Sequence, residues 1–121
     1  MATKTILLVD DSPTQVKAMQ EALKGRGYEL VTAADGEEAL VKVMQQKPDM
    51  VLLDVVLPKK NGFQVCRQLK TSPETKHTRV IMVTSKSQDS DRFWGLKQGA
   101  DEFLTKPVSP EELLALIGRY L

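Results

Sequence analysis

The sequence predicts one α/β domain, a doubly wound open sheet in which five parallel strands alternate with five helices. Three observations predict it. The short apolar runs Ile6-Leu7-Leu8-Val9, Met50-Val51-Leu52-Leu53 and Val80-Ile81-Met82-Val83 are continuous rather than alternating, the pattern of strands covered on both faces by helices. The segments between them space their apolar residues three and four apart, as amphipathic helices do. The length of 121 residues, 41% hydrophobic and 27% charged, suffices for one buried core and leaves no room for a second.

Each element has its own signal. After the first run, Ser12 caps a helix with Pro13 at its first position and Gln15 at its third; Val16, Met19 and Leu23 form its stripe, and Gly25 and Gly27 close it. Residues Glu29 to Ala33 read as a weaker strand. Asp35, Gly36 and Glu38 open a second helix with the stripe Leu40, Val43 and Met44, and Pro48 stops it. The second run is the next strand, after which Gly62 opens a helix carrying Phe63, Cys66 and Leu69. Following the third run, Ser87 or Asp89 opens a helix whose stripe is Phe93, Leu96 and Ala100, with Gly99 at its end. Glu102 to Thr105 is the last, weak strand, and Ser109, Pro110 and Glu112 open a final helix bearing Leu113, Leu114 and Ile117. Right-handed crossovers then favour a strand order such as 2-1-3-4-5. No linker, repeat or low-complexity tract interrupts residues 1–121, which read as a single domain.

Composition removes several function classes. A net charge of +1 gives no bulk attraction to nucleic acid or to an anionic membrane. The single cysteine, Cys66, cannot form an internal disulfide, and Met1-Ala2-Thr3-Lys4 lacks the form of a signal peptide, so a reducing cytoplasm is the expected compartment. No apolar stretch approaches the roughly 20 residues needed to span a bilayer. Nucleic acid and membrane insertion are therefore not expected.

Chemistry is expected at the carboxyl ends of the strands, where open α/β sheets form their crevice. There the runs end in Asp10-Asp11, in Asp54, in Thr84-Ser85 and in Lys106-Pro107. An aspartate after a strand is ordinarily a helix cap or a solvated turn residue. Here Ser12 already supplies the capping oxygen, and three carboxylates gathered in one crevice repel unless a cation offsets them. Hard oxygen ligands with room for water suit Mg²⁺. A metal beside a lysine and a hydroxyl suits a phosphoryl group in transfer, and Asp54, on the central strand, is the natural nucleophile, yielding an acyl phosphate. Two rivals fit less well. A carboxylate phosphatase wants a second acid two residues after the nucleophile, where this chain has Val56. A flavin site at the same topological position wants glycines or free amides in the first turn, which is acidic here.

Leu8-Val9-Asp10-Asp11-Ser12, Leu52-Leu53-Asp54, Val83-Thr84-Ser85 and Thr105-Lys106-Pro107, in that order and spacing, resemble the receiver domain of two-component response regulators, over the whole stretch from Ile6 to Leu121. The segments Thr84-Ser85-Lys86, Asp91-Arg92-Phe93-Trp94-Gly95, Gln98-Gly99-Ala100 and Asn61-Gly62-Phe63-Gln64 are similar to stand-alone chemotaxis-like receivers of type IV pilus twitching-motility systems. The resemblance implies a flavodoxin-like fold and a phosphorylation-dependent switch rather than an enzyme with a substrate of its own. Asp54 matches the phosphoacceptor, served by the phosphohistidine of a histidine kinase or histidine phosphotransfer domain. Asp10 and Asp11 match the acidic pair that binds Mg²⁺ together with Asp54, and the backbone carbonyl of Val56 adds a further ligand. Lys106 matches the lysine that contacts phosphoryl oxygens, its bond to Pro107 matches one that is cis, Thr84 matches the switch hydroxyl, and Gly62 matches the turn opening the third helix.

Because the chain ends just after the fifth helix, no output domain is expected, and the signal is read by a downstream protein target bound by a monomer or weak dimer. Draining phosphate from a shared kinase is the alternative within the same chemistry, and a phosphorylation-independent interaction module of this fold is another. Departures from the family pattern bear on this. The aromatic switch position is Phe103, without the hydroxyl that many relatives carry, so any switching there rests on packing. Val56 and Lys86 occupy the positions that tune how water reaches the acyl phosphate, and a valine cannot orient water, which predicts slow dephosphorylation. Trp94 is expected as a half-buried packing residue or as an anchor on the partner-facing surface of the fourth helix, fifth strand and fifth helix. Lys59-Lys60 read as a solvated turn or a spot for an acidic kinase surface, Cys66 reads as a core residue, and His77 has no second ligand near it in sequence.

Overall fold

The computed structural model describes residues 3–121. The elements run β1 (Thr5–Val9), α1 (Pro13–Leu23), β2 (Glu29–Ala33), α2 (Gly36–Gln46), β3 (Met50–Leu53), α3 (Gly62–Thr71), β4 (Arg79–Thr84), α4 (Asp89–Lys97), β5 (Glu102–Thr105) and α5 (Pro110–Tyr120). All pairings are parallel, and the strand order is β2-β1-β3-β4-β5 as expected. The switch in winding direction falls between β1 and β3, so Val9 and Leu53 are register partners and the residues following them open onto one crevice.

The continuous apolar runs have a simple physical cause. Successive strand residues point to opposite faces, and each face has its own core. Leu7, Val9, Val51, Leu53, Val80 and Met82 pack with Ala39, Val43, Val65, Cys66, Leu69 and Phe103 under α2, α3 and α4. Ile6, Leu8, Met50, Leu52, Ile81 and Val83 pack with Met19, Leu23, Leu113, Leu116 and Ile117 under α1 and α5. Each such side chain contributes roughly 1.5–3 kcal/mol by leaving water, which is why the buried stretches 6–9, 50–53 and 80–83 are apolar throughout.

Helix starts follow the sequence signals with two refinements. Ser12 accepts from the Gln15 amide, Asp35 from that of Glu38, and Ser109 from that of Glu112. For α3 the cap is Asn61, whose side chain and that of Gln64 each accept the other's backbone N–H. Gly62 is instead the first helical residue. A Cβ there would lie 2.3 Å from the carbonyl oxygen of Asp54, so only glycine lets α3 start so close to the end of β3. In α4 the cap position is Gln88, not Ser87 or Asp89, and Asp91 accepts its N–H at 3.3 Å. The end of α2 is made by Lys47 in the left-handed conformation (φ 47°), before the proline that was expected to stop it.

The stripe expected on α4 holds only at Ala100, which is buried just beyond the helix end. Phe93 is 63% exposed and Leu96 40%, while the residue facing the sheet is Gly95. A Cβ on Gly95 would lie 2.8 Å from the Met82 sulfur and 2.9 Å from the Phe103 ring. The helix therefore rests on the sheet by its backbone, and its large apolar side chains point away. On α2 likewise, Met44 is exposed and Ala39 and Val43 carry the contact. No helix among the described residues is long and apolar enough to cross a membrane.

Candidate functional site

The crevice residues are placed by continuation of the ladder. One residue beyond each strand, the amide of Asp10 donates to Ala33, that of Asp54 to Val9, and that of Lys106 to Thr84, at 3.1, 3.0 and 2.8 Å. Three backbones that are rigid by sheet pairing thus aim two carboxylates and an ammonium into one space.

Their side chains meet there. Lys106 Nζ donates to Asp10 Oδ2 at 2.7 Å and to Asp54 Oδ2 at 3.3 Å. The other Asp10 oxygen accepts from the Ser12 amide, and the other Asp54 oxygen from the Val56 amide. Asp10 is only 2% exposed and Asp54 7%, whereas Asp11 faces solvent. One oxygen from each of the three carboxylates lies within 4.8 Å of the others. Burial pulls the Lys106 ammonium down, but its hydrogen bond to Asp10 and the charges of Asp54 and Asp10 outweigh that, and its pKa lies above the ordinary lysine value.

Three acids share one lysine, which leaves a deficit of positive charge. The donor set is all carboxylate oxygen, with Asp11 open to solvent for water-completed coordination. That chemistry fits a hard divalent ion such as Mg²⁺ and not a thiolate-seeking metal. Val56, whose amide bonds Asp54, is 53% exposed and carries no polar side-chain group.

Thr84 is the last residue of β4. It is fully buried, and its hydroxyl accepts from the Lys86 amide at 3.4 Å. The Lys106–Pro107 bond is cis, as expected. Phe103 is 2% exposed and its ring lies under Gly95. Trp94, 48% exposed, lines hollows between α3 and α4 with Arg67 and Gln98. Lys59 pairs with Asp35 at 3.8 Å, so the Lys59-Lys60 turn is half neutralised. Cys66 is buried and its thiol is pushed up to about 12 by desolvation, against the pull of Lys70, which keeps it unreactive.

Two features escaped sequence reasoning. Gly36 at the start of α2 seats the loop that follows Asp54: its amide donates to the Pro58 carbonyl, and a Cβ there would fall 2.0 Å from the Lys60 oxygen. The Asp35-Gly36 pair signalled a helix start, and nothing local betrays the distant loop. Arg92 on α4 donates to the Phe103 carbonyl at 3.0 Å, tying that helix to β5.

A family model described as the response regulator receiver domain matches residues 6–118. The chain belongs to this family. It is 45% identical to protein PilH of Pseudomonas aeruginosa, the match spanning 96% of each. It is also 44% identical to the alkaline phosphatase synthesis transcriptional regulatory protein PhoP of Bacillus subtilis, covering 94% of this chain and 47% of that one. Among solved structures, a putative response regulator from Chloroflexus aurantiacus superposes with a TM-score of 0.93 at 34% identity, over 98% of both chains. The chemotaxis response regulator CheY4 of Vibrio cholerae gives 0.91 at 33%, over 99% of this chain and 100% of that one. Receivers of two-component systems are phosphoacceptor switches that bind Mg²⁺ at an aspartate cluster, take phosphoryl groups from histidine kinases and act on downstream targets. In this receiver the aspartate cluster is Asp10, Asp11 and Asp54.

Proposed function

We propose that this receiver accepts a phosphoryl group on Asp54 and signals by phosphorylation-dependent protein binding in a cytoplasmic, chemotaxis-like pathway of the twitching-motility type. The observation that carries this is the Lys106 ammonium bridging Asp10 and Asp54 beside a third carboxylate, at the crevice formed by the sheet's switch point. The similarity to PilH over nearly the whole of both chains supports the pathway type and a single receiver domain spanning residues 1–121.

The residues divide the work. An Asp54 oxygen attacks the phosphorus of a phosphohistidine, a P–O bond forms, the P–N bond breaks, and its electron pair leaves with the imidazole. Asp10, Asp11, Asp54 and the Val56 carbonyl would hold Mg²⁺, which when bound neutralises charge on the carboxylates and phosphoryl oxygens. Lys106 keeps its bond to Asp10 while exchanging its Asp54 partner for a phosphoryl oxygen. Thr84 then donates its hydroxyl toward the phosphoryl group, biasing the loop after β4 and the packing around Phe103. With an apolar Val56 at the crevice mouth, water is not oriented for attack, the acyl phosphate is long-lived, and an output role is favoured over a phosphate sink.

Intact-mass measurement after exposure to a small phosphodonor tests the assignment. Wild type should gain one phosphoryl group with Mg²⁺ and none without it, and Asp54→Asn none in either case. Uptake by Asp54→Asn at the wild-type level would refute the site. Lys106→Ala should still label, and lose phosphorylation-dependent partner binding.

A further inference from the structure

The geometry points to the cleft between α3 and α4 as a docking site for an acidic segment of a partner protein that carries an apolar anchor side chain. Because Gly95 is the residue turned toward the sheet, Trp94 and Gln98 are turned toward α3 and Leu96 toward the opposite side of the helix. Trp94, 48% exposed, stands between two shallow hollows of about 180 and 290 Å³, which it shares with Arg67 and Gln98. Phe63 and Gln64 line one and Lys97 the other. Each hollow has room for a single side chain, with an aromatic wall to receive it.

The charged side chains lining it, Arg67 and Lys97, are both basic. Helix α3 contains no acidic residue, and the acids of α4, Asp89 and Asp91, lie in its first turn, where Asp91 pairs with Lys86. Among the described residues neither Arg67 nor Lys97 forms an ion pair; Lys97 instead sits over the Phe93 ring, 5.7 Å from its centre. Two unpaired cations flanking a half-exposed tryptophan complement carboxylates flanking an apolar side chain. A nucleic acid would demand more: two cations on a chain of net charge +1 are too few for a phosphate backbone.

Trp94 is the chain's one tryptophan, so its emission reports the cleft directly. The probe is a short amidated peptide of glutamates with leucine at helical spacing, titrated at low salt, with its lysine counterpart and an oligothymidylate as comparisons. The glutamate peptide should shift Trp94 emission and saturate, and Arg67→Glu with Lys97→Glu should weaken it by about tenfold or more while allowing the lysine peptide to bind. Both substitutions are on exposed side chains, and urea unfolding verifies that the variant is folded. Unchanged emission with the glutamate peptide, equal binding of the lysine peptide to wild type, or tighter binding of the oligothymidylate would each overturn the assignment.

Discussion

At the carboxyl edge of the sheet three carboxylates share one ammonium; at the amino edge two cations share one carboxylate. Asp101, just before β5, accepts from Lys70 at 3.1 Å, from Arg79 at 3.3 Å and from the Val80 amide at 2.8 Å. Arg79 also lies over the Tyr120 ring, whose hydroxyl donates to Glu102 at 2.7 Å. There the one carboxylate finds all its partners within the chain, and that edge locks β4, β5, α3 and α5 together. The crevice has the same ingredients in the opposite ratio, and Asp11 is left for something not belonging to the chain. A lysine–aspartate bridge is thus a sign of structure or of chemistry according to the sum of charges around it.

The largest expected effect sets the edges against each other. Asp101→Ala should cost about 3 kcal/mol in urea unfolding, because it strips a partly buried Lys70 of its partner and a backbone amide of its acceptor. Asp54→Asn should lie within about 1 kcal/mol of wild type and on the more stable side, since it removes one of three like charges and keeps an acceptor for Lys106. If Asp54→Asn were as damaging as Asp101→Ala, the contrast would fail. Mg²⁺ comes next: at ten times its dissociation constant it should stabilise wild type by about 1.4 kcal/mol. Asp101→Ala should keep that increment, and Asp11→Ala should lose most of it.

Alkaline titration sharpens the comparison with a smaller effect. The folded-state pKa of Lys106 is raised above its ordinary 10.5, so the stability its bridge contributes is complete below that value and is lost as pH rises through the raised one. Lys106→Met should flatten the alkaline decline in unfolding midpoint. Tyr120, raised chiefly by its hydrogen bond to Glu102, acts with the same sign at the other edge, and Tyr120→Phe should flatten it less. The smallest effect belongs to the Lys86–Asp91 pair, whose lysine is exposed, and Lys86→Ala should change stability by no more than about 0.5 kcal/mol.

Much of this was legible in the chain itself. Parallel strands buried on both sides leave continuous apolar runs, and Asp10, Asp54 and Lys106 could be located because each directly follows such a strand. Their convergence followed from the expected strand order, but the direct bridge from Lys106 to Asp10, 96 residues away, did not, because the sequence paired that lysine with phosphoryl oxygens. Helix α4 was misread because hydrophobic spacing cannot register a buried glycine. Phe93 and Leu96 supplied a false stripe while Gly95 made the contact, and Trp94 consequently turned toward α3. The same blindness hid Gly36, whose importance lies in a side chain that is missing.

The two glycine seats also fix a length. The chain from Asp54 to Gly62 is held at one end where α3 begins against the Asp54 carbonyl, and partway along where Lys60 lies over Gly36. Inserting even one residue between them would unseat one contact or the other. Any exchange of this segment in engineering therefore has to keep its span, with Gly62 at its end and Gly36 opposite Lys60.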